Sequence, residues 1–149
     1  MLKPARSGGS HGYTLLEVML SIALLALLAA IAMPSLHTQI DKSRRADAIA
    51  ALFQAQLAQE RWRANQPAYG TLAEIGVAPQ SNAGHYTIEV TATSASGYEL
   101  LATARGVQAR DTACRHLRLA MAGANLVQAS GSDPAASNPD AINRRCWSL

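Results

Sequence analysis

The stretch from Gly12 to Pro34 limits this chain more than any other, because little of it can be left in water. Between Val18 and Met33 the only polar side chain is the Ser21 hydroxyl. Counted from Leu15, the run crosses roughly 28 Å at the helical rise, close to the apolar thickness of a bilayer. Glu17 is the exception near its start. A lone carboxylate at membrane depth costs about 2.5 kcal/mol or more, and nothing basic in the run stands near it. A cleaved secretory signal fits poorly, since such signals have an apolar core of about 7 to 15 residues, and this core is longer and leads into Pro34 and a polar helical stretch. A plain single-pass anchor explains the length and the basic leader but leaves Glu17 unexplained. A cut after Gly12 would explain it, by placing the new amino terminus of Tyr13 four residues from Glu17. In an assembly of many copies, each Glu17 then has a neighbour's amine to pair with.

The run Gly12-Tyr13-Thr14-Leu15-Leu16-Glu17, the short basic leader before it and Pro34 at the end of the apolar segment resemble the amino-terminal signature of type IV pilins and the related type II secretion pseudopilins. The resemblance implies cleavage between Gly12 and Tyr13 by a prepilin peptidase, methylation of the Tyr13 amine, subunit assembly through Glu17, and packing of the apolar helix in the core of a fibre. Tyr13 stands where the family usually has phenylalanine and keeps the aromatic character. The expected division is a cleaved basic leader at 1–12, an apolar transmembrane and assembly helix at 13–34, and an amphipathic helix plus globular domain at 35–149. Lys3 and Arg6 lie in the leader, whose positive charge places the amino terminus in the cytoplasm. The implied location is the inner membrane, in a single pass, and then an extracellular pilus fibre.

Removing the leader takes the 13 basic residues to 11 against 10 acidic ones, so the net charge falls from +3 to +1. So small a balance argues only weakly for nucleic acid. With 149 residues, the part beyond the apolar run has room for one small domain.

From Ser35 to Asn65 there is no glycine or proline, and Leu36, Ile40, Ile49, Leu52, Phe53 and Leu57 recur at mixed helical spacings. Pro34 is therefore expected to kink a long helix more than end it. Asp41 to Asp47 carries both charge signs at helical spacing, which reads as a solvated face, or as a contact with lipid headgroups or a neighbouring subunit. Gln66-Pro67 stops the helix. An irregular segment follows from Ala68 to His85, with Thr71 and Glu74 spaced as a capping box.

Alternation then takes over at Tyr86, Ile88 and Val90, with a turn at Ser94–Gly97 and a return strand from Tyr98 to Arg105. Adjacent Leu100 and Leu101 blur which face of that strand is buried. Leu117, Leu119 and Met121 predict a third strand closed by Gly123. These strands make a small antiparallel sheet whose apolar face is expected to cover the Ile49, Phe53 and Leu57 side of the helix. The expected fold class is thus α+β, and the resemblance implies that it is a pilin fold.

The tail from Ser130 to Leu149 is rich in serine, alanine, proline and asparagine and has little capacity to bury itself. Cys114 and Cys146 are the only cysteines and bracket it. A disulfide between them, favoured in an oxidising compartment, would contribute roughly 3 to 4 kcal/mol by closing the loop; two free buried thiols are the alternative. Pilins fasten their carboxy-terminal region with one such bridge, and Asp111-Thr112-Ala113-Cys114 with Cys146-Trp147 most resembles the PilE-type minor pilins of Gram-negative bacteria.

No phosphate loop, helical metal motif or nucleophile with an adjacent base occurs, and His11, His37, His85 and His116 are dispersed, so no enzyme, metal or cofactor is expected. The expected role is a structural, minor subunit of a type IV pilus, serving pilus assembly, twitching motility and surface attachment. Its expected partners are other pilins, the prepilin peptidase, the inner-membrane assembly platform and, before assembly, membrane lipid. The alternatives are a type II secretion pseudopilin and a minor pilin acting as a DNA receptor in natural transformation. For the latter, a bridge between the cysteines would draw Arg144 and Arg145 towards Arg115 and Arg118 as a local basic patch.

Overall fold

The computed structural model describes residues 13–148. Residues 1–12, the expected leader, with Gly12 as the expected cleavage site, lie outside that range. The chain divides into two compact units, Met1–His37 and Thr38–Leu149. A single long helix, α1 (Leu15–Arg63), begins in the first and continues in the second, and Pro34 falls inside it. Among the described residues no single helix is long and apolar enough to cross a membrane as one piece, although Leu15–Ile31 and Leu36–Arg63 meet that requirement taken together.

In the second unit α1 packs on one face of a four-stranded antiparallel sheet in the order β1-β2-β3-β4. The strands are β1 (Tyr86–Thr93), β2 (Gly97–Ala104), β3 (His116–Ala122) and β4 (Asn125–Gly131). Tyr86, Ile88, Tyr98, Leu100, Ala102, Leu117 and Leu119 form the sheet's inner face. Leu101 is buried on the other face, opposite Arg118 and Glu89 in the ladder, so both leucines of the ambiguous pair are covered.

The helix meets this sheet through Ala48, Ile49, Leu52, Ala55 and Gln59, at alternating spacings near three and four. This corrects the face expected from the sequence. Ile49 is buried, but Phe53 and Leu57 are 38% and 56% exposed. Alanines let the helix backbone approach the sheet, and the bulkier pair falls outside the seam. Buried Gln59 donates to the Gly70 carbonyl at 2.6 Å and accepts from the Gly70 N–H at 2.9 Å, which pins the following loop to the helix. The Thr71–Glu74 cap forms, with the Thr71 N–H donating to Glu74 Oε2 at 2.7 Å.

The carboxy-terminal region adds two elements that the alternation and turn signals do not announce. One is β4. The other is α2 (Asp140–Trp147), which begins after Pro139 and has Asp140 in its first turn and Arg144 and Arg145 in its last, in keeping with the helix dipole. The Cys114–Cys146 disulfide fastens α2, and both cysteines lie in the core. Asn143 Nδ2 donates to the Gln128 carbonyl at 2.8 Å, and Trp147 Nε1 to the Ala129 carbonyl at 2.9 Å. These side chains satisfy part of the β4 edge, which would otherwise offer open carbonyls to another strand.

Candidate functional site

The amino-terminal site is built on the first turn of α1. The Glu17 N–H donates to Thr14 Oγ1 at 3.2 Å, and the Val18 N–H donates to the Thr14 carbonyl at 3.2 Å. Thr14 is therefore the N-cap, and Thr14-Leu15-Leu16-Glu17 has capping-box spacing, a second meaning of the same motif. Glu17 is thereby in the first turn, where the helix dipole favours negative charge. Around and beyond it Leu16, Leu20, Ile22, Leu25, Leu28 and Ile31 are all exposed, an apolar surface that the described residues do not cover.

A second constellation lies in the domain, where the early part of α1 meets two short 3₁₀ turns, Gly106–Arg110 and Thr112–Cys114. Arg45 Nε donates to Asp111 Oδ2 at 2.6 Å and Nη2 to Oδ1 at 3.2 Å, both side chains being about nine-tenths buried. A third guanidinium donor, Nη1, reaches the Arg145 carbonyl at 3.3 Å, so one arginine ties α1, a 3₁₀ turn and α2 together. Buried Gln108 donates to the Tyr86 hydroxyl at 3.2 Å and to the Asp41 carbonyl at 3.3 Å. Burial pushes the Tyr86 phenol up to about 12, against the lowering effect of the Gln108 hydrogen bond. Arg110 pairs with Asp41 at 3.1 Å.

Asp41, Arg45, Arg110 and Asp111 border a cavity of about 430 Å³ whose lining also includes Lys42, Arg145 and Cys114. The two aspartates each hold an arginine, whereas the side chains of Lys42 and Arg145 have no partner among the described residues. The cavity therefore has a positive excess directed at solvent.

The four arginines expected as a patch have separate fates. Arg145 lines this cavity. Arg144 lines a different cleft with Leu126, Gln128, Asn143 and Trp147. Arg115 Nε donates to the Ala109 carbonyl at 3.1 Å, and Arg118 pairs with Glu99 at 3.1 Å. The lysine and arginines that do surround Arg145 come from α1 and the 3₁₀ turn, a proximity visible only after the chain folds. Among the described residues no group of three or more His, Cys, Asp and Glu is placed to hold a metal ion.

A long apolar helix leading into a helix-on-sheet domain whose carboxy-terminal region is closed by a disulfide defines the class of type IV pilins. Residues 8–33 match the prokaryotic N-terminal methylation motif. Residues 34–118 match the family described as type IV minor pilin ComP, DNA uptake sequence receptor, and the chain belongs to that family. It is a minor pilin of a type IV pilus. No curated protein matches the chain at a significant level.

Proposed function

We propose that this minor pilin is stored in the inner membrane through its apolar helix, with the amino terminus in the cytoplasm, then cut between Gly12 and Tyr13, methylated on the Tyr13 amine and drawn into the pilus. Glu17 pairs with a neighbouring subunit's amine during assembly, and Pro34 supplies a kink. In the fibre the domain binds DNA, a role supported by the family's description as a DNA uptake sequence receptor, and it holds the duplex by its phosphates. The assembled subunit also contributes to pilus assembly, twitching motility and surface attachment.

The DNA reading rests on one observation: Lys42 and Arg145, brought together from opposite ends of the domain sequence, border one cavity without acidic partners among the described residues. Phosphate binding releases counterions, so affinity should fall steeply with salt. A titration of the full chain in detergent with a labelled duplex at two salt concentrations tests this. Lys42→Gln with Arg145→Gln should weaken binding and reduce the log–log salt slope by about 2, near 0.9 for each phosphate no longer neutralised. Binding that ignores salt, or that survives the double substitution unchanged, would remove the proposed surface.

A further inference from the structure

A second basic cleft, of about 360 Å³, shares no lining residue with the first and is bordered by Arg44, Gly84, His85, Arg105, Gly106 and Gln108. The side chains of Arg44, His85 and Arg105 come from α1, from the turn before β1 and from the turn after β2. Hydrogen bonds from outside the cleft and along the main chain hold them together. Asp47, one turn beyond Arg44, accepts from Ser81 Oγ at 2.6 Å and from the Ala83 N–H at 3.0 Å, which fixes the first turn on the helix. The Arg105 N–H donates to the His85 carbonyl at 2.9 Å, continuing the ladder beyond the Tyr86–Ala104 pair. Gly84 and Gly106 both have positive φ, 75° and 53°, which glycine adopts without strain and which keeps this wall low.

Among the described residues no acidic side chain lines the cleft. Among those residues, too, the side chains of Arg44, His85 and Arg105 have no hydrogen bond or ion pair, unlike Arg45, Arg110, Arg115 and Arg118. Asp47, the nearby acid on α1, is committed to its two donors. Unpaired arginines beside a histidine, around a cleft of this size, suit one phosphate group with its substituents.

Arg44 follows Ile40, an exposed apolar residue of α1 in the same unit, by about one helical turn. Resting on the membrane-storage reading above, we infer that this cleft binds the phosphodiester headgroup of an anionic phospholipid while the subunit waits in the bilayer, where the headgroup layer adjoins the end of an apolar helix.

The full chain, purified in detergent and mixed with phosphatidylglycerol or phosphatidylcholine, tests this by native mass spectrometry of retained lipid. The wild type should retain phosphatidylglycerol in preference, and Arg44→Gln with Arg105→Gln should lower that retention about tenfold, while Lys42→Gln with Arg145→Gln leaves it unchanged. Millimolar inorganic phosphate should displace the lipid and equal chloride should not. Equal loss in both double variants, equal displacement by chloride, or loss of duplex binding in the Arg44/Arg105 variant with lipid retention intact would overturn the assignment. Membrane fractionation of the same variants separates the two readings: a chain absent from membranes defeats the storage reading, and one present there without lipid preference defeats the cleft.

Discussion

Among single residues, Arg45 and Asp111 carry the most weight. Their bidentate pair is withdrawn from water and joins α1 to the segment just before Cys114. Taking two charges out of water offsets most of their attraction, so the pair's net contribution is small; losing one partner is costly because the other stays buried. Asp111→Asn should therefore destabilise the domain by about 3 kcal/mol, while replacing both residues by apolar ones should cost much less. Urea unfolding of the two variants measures the difference. His116 sets a pH dependence. Burial, followed by the Arg115 charge, lowers its pKa below the ordinary value of 6.5. The unfolded chain thus takes up that proton first as pH falls, and stability present above about pH 6.5 declines below it. A Tm series across that range should show the loss, and His116→Gln should flatten it.

Among elements, α2 is the one whose presence depends most on others. It is an eight-residue helix, too short to persist alone, and it is held by the disulfide and by Asn143 and Trp147 against β4. Trp147→Phe should keep the edge-on packing against Phe53, whose ring centroid is 6.5 Å away, while losing the bond to the Ala129 carbonyl. A loss of about 1 kcal/mol is expected, with faster hydrogen exchange in α2 and β4 than in β2. The same dependence explains what was legible in the sequence. Tyr86, Ile88, Leu117 and Leu119 alternate because one face of each strand is buried, so β1 to β3 could be read. From Asn125 to Gln128 β4 is exposed throughout, and its residues show no alternation. The polar run of α2 likewise hides a helix fastened by Cys146. On α1 the helical period was plain, but the choice of face was not, because alanines and Gln59 fill the seam and Phe53 does not. The basic site was legible in residue type alone: Arg145 stood out, but its neighbours Lys42, Arg45 and Arg110 are set by tertiary contacts.

For the molecule as a whole, the two units divide the work. The first is an apolar helix with a capped, acid-bearing start and no cover of its own. The second is a disulfide-closed domain with basic clefts beside the early part of its helix. Glu17, which would be a liability in a plain anchor, is in the capped first turn, and on the proposed reading it would meet a neighbour's amine and make the apolar helix an assembly surface as well as an anchor. The most direct test is mass spectrometry of the chain recovered from sheared, washed pili. A subunit that works as proposed should appear there in small amount, its first peptide beginning at an amino-methylated Tyr13, and Glu17→Ala should leave it in membranes but deplete it from fibres. An amino-terminal peptide that still contains residues 1–12, or a chain missing from pili while those pili remain intact, would contradict it.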